Sequence, residues 1–142
     1  MAAFDETPEL LGTSSDLPKA YSPSELKQHL LQGDQIIGAF AQQHLVGFSL
    51  YRDVCGEAEL LFLYVMPKFR RDGVGTRLLE GFIEDLKRKG VRRVFLEVSE
   101  VNSAAIQLYQ NSSFKIVGTR ERYYSDGSSA LVMSRCLEDI AD

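Results

Sequence analysis

The chain has 142 residues, of which 44% are hydrophobic and 25% are charged, and its formal net charge at pH 7 is −4. These values are typical of one ordinary globular domain and exclude a disordered or collagen-like chain. The net negative charge argues against direct binding of nucleic acid, because such binding needs a surplus of Lys and Arg facing the phosphates.

Local features narrow the class of protein further. Residues 66–93 carry nine basic and four acidic side chains, a local excess that favours a small anionic ligand. There is no leader pattern and no apolar run of about eighteen residues, so we expect a cytoplasmic domain over residues 1–142 that does not contact a membrane. Cys55 and Cys136 lack the spacing of a zinc site, so we expect no metal and two reduced, half-buried thiols.

A capping motif predicts the first helix. Residues 1–20 leave open whether a short first strand or a loose arm precedes it. Ser22-Pro23-Ser24-Glu25 combines an N-cap serine, a proline at the first helical position and a glutamate at the third. We predict that this helix ends near Gly33, because glycine readily adopts the left-handed conformation that ends many helices.

Three apolar runs then predict an antiparallel meander. They cover residues 35–41, 45–52 and 58–66, and Gly56 lies in the turn before the third run. Pro67 should end the third strand, because proline has no N–H group for the strand ladder.

The second half of the chain alternates helices and strands. Apolar residues at helical spacing from Leu78 to Leu86 predict a long helix that ends near Gly90. After it we predict a strand at 91–98, a helix that Asn102 caps and that ends near Asn111, and strands at about 114–124 and 130–136 joined by a turn at Asp126-Gly127. This order predicts an α/β fold with a mixed sheet of about six to seven strands and helices on both faces, in which the unit 58–98 pairs in parallel.

A basic loop with two glycines precedes the long helix. Its sequence is Arg70-Arg71-Asp72-Gly73-Val74-Gly75-Thr76-Arg77. The glycines let the backbone approach a ligand closely, and the helix presents N–H groups at its N-terminus, so the loop suits a pyrophosphate. The alternative is a tight turn with solvated arginines. The loop is neither a Walker motif, because no Gly-Lys-Ser/Thr follows, nor a dinucleotide-binding fingerprint, because the third glycine is absent.

A second group of candidate residues follows the strand at 91–98. Glu97 lies near the carboxyl end of this apolar strand, where open α/β sheets bind ligands. Burying a carboxylate is unfavourable unless it is paired or used, and burial gives a carboxylate the raised pKa that a general base needs near neutral pH. The alternative is a structural carboxylate paired with a nearby arginine. Taken alone, Asn102 is explained as an N-cap, and Tyr109, two turns along the same helix face, as a packing residue.

Together these motifs resemble the GNAT superfamily of N-acetyltransferases. Arg70-x-x-Gly73-x-Gly75 is similar to the acetyl-CoA motif of that family. Leu96-Glu97-Val98 followed by Asn-Ser-Ala-Ala-Ile-Gln-Leu-Tyr at 102–109 resembles the RimI group, the ribosomal-protein-alanine N-acetyltransferases, and so does the tail Arg120-Glu121-Arg122-Tyr123-Tyr124. The resemblance covers about residues 34–136.

The resemblance implies a GNAT fold, acetyl-CoA as cosubstrate and no metal. It implies that Glu97 is the general base and that Tyr109 is the general acid that protonates the leaving thiolate. The residues implied to contact acetyl-CoA are Leu63, Tyr64 and Val65 along the pantetheine arm, Arg70, Arg71, Asp72, Gly73, Val74, Gly75 and Thr76 around the pyrophosphate, and Asn102.

Two departures from the family pattern concern the wall and the acceptor side of the site. Ser112-Ser113-Phe114 stands where the family usually has Leu-Gly-Phe, so a left-handed turn there falls on a serine. The N-terminal segment is shorter than usual and lacks a tryptophan, which affects acceptor specificity more than chemistry.

The expected acceptor is an N-terminal amine. An α-amino group has a reference pKa of about 7.7–8.0, against about 10.4 for lysine, so more of it is neutral at pH 7 and a glutamate is a strong enough base. We therefore expect acetylation of a protein N-terminus, and the resemblance to the RimI group implies the N-terminal alanine of a ribosomal protein. We expect the protein to be a monomer or weak dimer. The alternatives are a lysine side chain or a small-molecule amine as acceptor, or a non-catalytic acyl-CoA-binding module.

Overall fold

The computed structural model describes residues 2–5, 23–42, 44–66, 69 and 73–137. Ser22 of the predicted capping motif and Pro67 lie outside these residues. The elements follow one another as β1 (Ala2–Asp5), α1 (Pro23–Leu31), β2 (Gln35–Ala41), β3 (His44–Val54), β4 (Glu57–Val65), α2 (Val74–Arg88), β5 (Arg93–Ser99), α3 (Ser103–Asn111), β6 (Lys115–Arg120) and β7 (Ala130–Cys136).

The strands form one mixed sheet in the order β1-β2-β3-β4-β5-β7-β6. Every neighbouring pair is antiparallel except β4 and β5, which are parallel because α2 carries the chain back across the sheet between them. The predicted mixed sheet and its parallel unit are confirmed. The question left open at the N-terminus is answered for Ala2–Asp5, which pairs with β2 as a first strand.

Helices pack on both faces of the sheet, as predicted. On one face, α2 buries an apolar stripe that includes Phe82 and Leu86, and α3 adds Tyr109 to the same core. On the other face, Leu26 of α1 packs with Phe48 and Leu50 of β3. Within the described ranges, none of the helices is long and apolar enough to cross a membrane.

Left-handed residues end several elements where the sequence predicted it. Gly33 after α1 and Gly90 after α2 have φ angles of 95° and 80°. The hairpin between β3 and β4 turns at Cys55 and Gly56, with φ angles of 53° and 86°. Positive φ at both central residues is the signature of a two-residue type I′ hairpin turn.

Two expectations are wrong in detail. β6 ends at Arg120 rather than near Tyr124, because its partner β7 begins only at Ala130 and the residues between the two strands form turns. Cys55 and Cys136 are exposed rather than half-buried, because one lies in the hairpin turn and the other at the end of β7.

A buried carboxylate links the end of α1 to β3 through hydrogen bonds. Asp34 is 4% exposed and accepts two hydrogen bonds from the guanidinium of Arg52, at 2.8 and 3.1 Å. Nδ1 of His29 lies 2.9 Å from the same carboxylate. The hydrogen bonds from Arg52 lower the pKa of Asp34 more than burial raises it, and His29 lowers it further.

The end of α3 is held by two serines in different ways. Ser113 has a φ angle of 69°, so the left-handed turn does fall on a serine, as predicted. Ser112 is buried, and its hydroxyl donates a hydrogen bond to Glu80 of α2. Its carbonyl accepts a hydrogen bond from Arg135 of β7 at 2.9 Å. Ser112 therefore ties the helix end to both neighbouring elements, while the backbone at Ser113 remains strained.

We expect Ser113→Gly to stabilise the protein by about 0.5 kcal/mol. A left-handed conformation is unfavourable by roughly 1–2 kcal/mol for a residue with a Cβ atom, and the greater freedom of unfolded glycine offsets roughly 0.5–1 kcal/mol of the gain. Urea unfolding measures the difference. Ser113→Ala is the control and should give no gain, because alanine keeps the Cβ atom; equal stability of the two variants would contradict the assigned strain.

Candidate active site

Strands β4 and β5 pair over a short length and then separate. Within the described residues, their parallel ladder joins residues 57–60 of β4 with residues 93–96 of β5 and ends there. Both strands continue, β4 to Val65 and β5 to Ser99. A gap therefore opens between the two strands at their carboxyl ends, the edge at which open α/β sheets bind ligands.

A bulge in β4 decides which side chains face each side of this gap. The pairing between β3 and β4 skips Leu61, which therefore forms a β-bulge. Beyond the bulge, Leu63 and Val65 pack in the core on the side of α2, whereas Phe62 and Tyr64 pack in the core on the side of α1. The bulge thus shifts the alternation of side chains just where β4 leaves β5.

A cavity of about 470 Å³ lies beside the gap, next to α3; we call it the Tyr109 cavity. It is lined by Leu63, Tyr64 and Val65 of β4, Gly75 of α2, and Asn102, Ala104, Ala105, Leu108 and Tyr109 of α3 and its cap. Three separate stretches of the chain that the sequence assigned to the cofactor or to catalysis therefore meet here. Sequence analysis missed Ala104, Ala105 and Leu108. The two adjacent alanines in the first turn of α3 were a signal, because their small side chains leave space for a ligand.

The N-terminus of α2 adjoins this cavity. Gly73 is the N-cap residue of the helix and has a left-handed conformation, with φ of 74°. Since glycine has no side chain, no side chain caps the first N–H groups of the helix. The N–H of Arg77 donates to the carbonyl of Gly73 at 3.1 Å, so the N–H groups of Val74, Gly75 and Thr76 precede that intrahelical bond. The first turn contains no acidic side chain. The positive end of the helix is therefore suited to an anionic group.

Gly75 lies where α2 comes close to α3 and β4. A Cβ atom at this position would lie 3.7 Å from Cδ2 of Leu108 and 3.8 Å from Cγ2 of Val65, which are ordinary contact distances. An alanine would therefore fit, whereas a larger side chain would occupy the cavity.

Three described residues that were also assigned to the cofactor, Gly73, Val74 and Thr76, do not line this cavity. Arg70, Arg71 and Asp72 lie outside the described residues. Val74 is buried in the core, and Thr76 is exposed in the first turn of α2. Val74 therefore has only its backbone N–H group to offer an anion, whereas Thr76 has both its N–H group and an exposed hydroxyl.

Two residues of α3 occupy the predicted positions. The side chain of Asn102 accepts a hydrogen bond from the N–H of Ala105 at 3.2 Å, which confirms the N-cap. Tyr109 is 9% exposed, and its ring packs edge-on against Phe114 with a centroid distance of 5.7 Å. Burial raises the pKa of Tyr109 to about 12, because the tyrosinate would lose its hydration. The hydroxyl therefore keeps its proton throughout the neutral range.

Glu97 lines a different cavity, which we call the Glu97 cavity and which has a volume of about 290 Å³. Glu97 directly follows the parallel ladder with β4 and lies opposite Val132 of β7. Its neighbours Leu96 and Val98 are buried in the core under α2, so Glu97 points to the opposite face of the sheet. The lining consists of Val54, Glu57, Ala58, Glu59, Phe95, Leu96, Glu97, Arg120 and Val132. Glu97 and Tyr109 are thus not brought into one cavity but lie on opposite faces of the sheet.

Three carboxylates and one guanidinium line the Glu97 cavity. The carboxylates are those of Glu57, Glu59 and Glu97, and the guanidinium is that of Arg120. Nε of Arg120 lies 2.5 Å from Oε2 of Glu97, and the two side chains are 60% and 20% exposed. The alternative of a carboxylate paired with an arginine is therefore present in the structure, although Glu97 still reaches solvent. The excess of negative charge favours a cationic ligand.

Sequence analysis assigned no role to Glu57, Glu59 or Arg120. The two glutamates had a signal, since they alternate with apolar residues at the start of β4. The position of Arg120 had none, because its proximity to Glu97 depends on the pairing of β6 and β5 with β7. No group of three or more His, Cys, Asp or Glu side chains in the described part of the chain is arranged to hold a metal ion.

Comparison with known proteins places this geometry in a family. The sequence model of the acetyltransferase (GNAT) family matches residues 4–114. The chain is 32% identical over 136 residues to the ribosomal protein bS18-alanine N-acetyltransferase of Escherichia coli strain K12, and the match covers 85% of this chain and 91% of that protein.

Solved structures agree with the sequence match. The crystal structure of the ribosomal-protein-S18-alanine N-acetyltransferase from Escherichia coli matches with a TM-score of 0.82 and 26% identity, over 99% of this chain and 96% of that one. The PaiA N-acetyltransferase from Thermoplasma acidophilum, solved in complex with coenzyme A, matches with a TM-score of 0.67 and 25% identity, over 83% of this chain and 73% of that one. The chain therefore belongs to the GNAT family and is an N-acetyltransferase.

Proposed function

We propose that this N-acetyltransferase transfers the acetyl group of acetyl-CoA to the α-amine at the N-terminus of a protein. The observation that carries the proposal is the gap between β4 and β5, with Tyr109 on one face of the sheet and Glu97 on the other. Two substrates that enter from opposite faces would meet in this gap, each beside the side chain that its proton transfer needs. Such a direct transfer requires no covalent enzyme intermediate.

Acetyl-CoA fits the side of the Tyr109 cavity. Enzymes of the GNAT family take their acetyl group from acetyl-CoA, and the N-terminus of α2 at 73–76 offers N–H groups and a positive dipole to its pyrophosphate. The edge of β4 at 63–65 faces the gap and can hydrogen-bond the amides of the pantetheine arm as a neighbouring strand would. Arg70 and Arg71 precede α2 in the sequence and carry positive charge, and Asn102 lines the cavity next to α3.

The acceptor amine fits the Glu97 cavity. A protonated amine is attracted by the excess of carboxylates there, and Glu97 lies at the end of the cavity where the gap between the strands begins. The reference pKa of an α-amine is about 7.7–8.0, so removal of its proton near neutral pH needs only a modest base. A lysine amine, with a reference pKa of about 10.4, is a poorer match.

Glu97 and Tyr109 are the two groups that transfer protons in the reaction. Glu97 accepts a proton from the acceptor's ammonium, through a bridging water, and the neutral nitrogen attacks the thioester carbonyl carbon. The carbon–sulfur bond then breaks, and Tyr109 donates its proton to the leaving sulfur. The nitrogen loses its second proton and becomes the neutral amide, and this proton replaces the one that Tyr109 gave up. Glu97 releases the first proton to solvent, so one proton is set free in each turnover. A phenol with a pKa of about 12 is a weak acid toward a free thiolate, whose pKa is about 8.5. Donation is favourable as charge develops on the sulfur, because the same exclusion of water that raises the pKa of Tyr109 also raises the basicity of the sulfur.

The acceptor that the relatives suggest is an N-terminal alanine of a ribosomal protein. The Escherichia coli relative with 32% identity is named for ribosomal protein bS18 and for alanine. Alanine presents an α-amine next to a single methyl group, and the Glu97 cavity, at about 290 Å³, admits a small first residue.

The test is acetyl transfer to a panel of acceptors. The reaction is monitored through the CoA thiol that it releases, and the product is identified by mass spectrometry. The panel contains peptides with free Ala, Ser, Met or Gly at the N-terminus, the same peptides with a blocked N-terminus and an internal lysine, and polyamines. We expect turnover with the free N-termini, highest with alanine, and a mass increase located on the first residue.

Two other results would redirect the assignment. Turnover restricted to lysine peptides or polyamines would make the protein a lysine or small-amine acetyltransferase with the same fold. Tight binding of acetyl-CoA without turnover on any acceptor would make it a non-catalytic acyl-CoA-binding module.

A further inference from the structure

The carboxylate proposed to receive the acceptor amine already has a cationic partner. Nε of Arg120 lies 2.5 Å from Oε2 of Glu97, and both side chains line the same cavity. A guanidinium and an ammonium are both cationic hydrogen-bond donors, and they compete for the same carboxylate oxygens. An acceptor that is to give its proton to Glu97 must therefore first separate this pair.

The ion pair between Arg120 and Glu97 is weak. The side chain of Arg120 is 60% exposed, and ion pairs that are exposed to this degree are weak. Arg120 is also the last residue of β6, a strand at the edge of the sheet. Its guanidinium keeps a second partner when it leaves Glu97, because it lies 5.4 Å from the centre of the Tyr123 ring, within the range of a cation–π contact.

The charges around the pair explain what replaces the guanidinium. Glu57 and Glu59 of β4 and Glu97 of β5 line the cavity together with Arg120 of β6, and β7 contributes the uncharged Val132. Arg52 lies opposite Glu59 and Arg93 lies opposite Glu57 in the strand ladders, so Glu97 is the carboxylate that loses its partner when Arg120 leaves. A cationic group compensates this loss. A neutral group offers no such compensation.

We propose that Arg120 occupies the acceptor-amine subsite in the resting enzyme and is displaced by the ammonium group of the acceptor. This inference rests on the proposed function, because it takes Glu97 as the group that meets the acceptor amine. Arg120 is then a positioning residue that sets the affinity for the acceptor. It raises the dissociation constant of every acceptor, and it does so less for a cationic amine, which can replace it beside Glu97, than for a neutral group.

The test compares Arg120→Gln and Arg120→Lys with the wild type. The probe is alaninamide, an α-ammonium with no further peptide, added to the enzyme–CoA complex and followed by the amide NMR signals of residues 95–98. We expect Arg120→Gln to tighten the dissociation constant of alaninamide about two- to fivefold, the range that exposed ion pairs support. Arg120→Lys should stay near the wild type, because lysine still presents a cation to Glu97.

Arg122→Gln is the matched control, since it removes one positive charge two residues further along the chain. It should leave the affinity unchanged, which separates competition for Glu97 from a general change in charge. In the acetylation assay, Arg120→Gln should lower KM for an Ala-initiated peptide by the same factor and leave kcat within about twofold.

The possible failures can be distinguished. Equal affinities of Arg120→Gln and Arg122→Gln for alaninamide would overturn the competition, and so would a lower kcat at unchanged KM, which would make Arg120 a support for the geometry of Glu97. If alaninamide binds as expected but no N-terminal peptide is acetylated, the amine subsite stands and the proposed acceptor is wrong.

Discussion

Replacement of Tyr109 by Phe should lower kcat by about 10²–10³-fold and leave the dissociation constant for acetyl-CoA within about threefold. The variant keeps the ring that packs against Phe114 and removes only the hydroxyl that is proposed to donate to the leaving sulfur. General acid catalysis of this kind contributes roughly 10²–10⁴-fold to a rate. Steady-state kinetics with an Ala-initiated peptide measure kcat, and calorimetry measures acetyl-CoA binding.

The pH dependence of this loss follows from the pKa of Tyr109. Burial raises that pKa from about 10 to about 12, so the phenol is protonated at every pH at which the enzyme is assayed. The factor lost in Tyr109→Phe should therefore be constant between about pH 6.5 and 9. The raised pKa also means that the contribution of Tyr109 to folding is fully present below pH 10 and is lost as the pH rises through about 12.

Tyr51→Phe is the matched control for Tyr109→Phe. Tyr51 is also buried, and its hydroxyl donates a hydrogen bond to Gln35 at 2.7 Å and accepts one from Lys89 at 2.8 Å. Lys89 follows the C-terminal end of α2, and Tyr51 does not line the Tyr109 cavity. Its loss should affect the free energy of unfolding by about 1 kcal/mol and should leave kcat unchanged. Equal kcat values of wild type and Tyr109→Phe, with the control also active, would remove Tyr109 from the chemistry.

Replacement of Glu97 by Gln should lower kcat/KM by about 10²–10⁴-fold at pH 7. The amide has the shape of the carboxylate but neither accepts a proton nor carries the charge that attracts the acceptor. The loss should shrink as the pH rises from 7 to 9, because the α-amine loses its proton in solution in this range and depends less on a base. The measurement is kcat/KM for an Ala-initiated peptide as a function of pH.

Glu100→Gln is the matched control for Glu97→Gln. Glu100 lies just after β5 and accepts a hydrogen bond from the N–H of Ser129 at 2.8 Å, outside both cavities. This variant removes the same charge three residues away and should keep nearly full activity. A Glu97→Gln loss that is small, or that does not change with pH, would show that the acceptor amine is deprotonated without Glu97.

Local patterns were sufficient to predict the elements that position the candidate site. The apolar spacing from Leu78 to Leu86 predicted α2, and the asparagine cap predicted the start of α3, because both features act within a few residues of the chain. They also placed Glu97 near the end of a strand and Tyr109 two turns along the helix face that begins at Asn102. Their separation onto two faces was not predictable, because it depends on the face of the sheet on which α3 packs.

The partner of Glu97 shows the same limit. An arginine beside this carboxylate was weighed as an alternative, but no local pattern singled out Arg120, which is distant in sequence. Its place follows from two antiparallel registers in succession, β5 with β7 and β7 with β6, and from the end of β6 at that residue. Register across several strands is set by tertiary packing, which a single sequence does not display.

The short ladder between β4 and β5 also bears on the order in which the fold forms. β2, β3 and β4 pair with partners close in the chain, and so do β6 and β7, whereas residues 57–60 must find residues 93–96 across the whole of α2. Such distant pairings form late, because the loop between them must close first. The apolar stripe of α2 packs against residues of both halves of the sheet and so aligns them. We therefore expect the meander of β2, β3 and β4 and the hairpin of β6 and β7 to form early, and the gap that separates Glu97 from Tyr109 to acquire its width only when α2 docks.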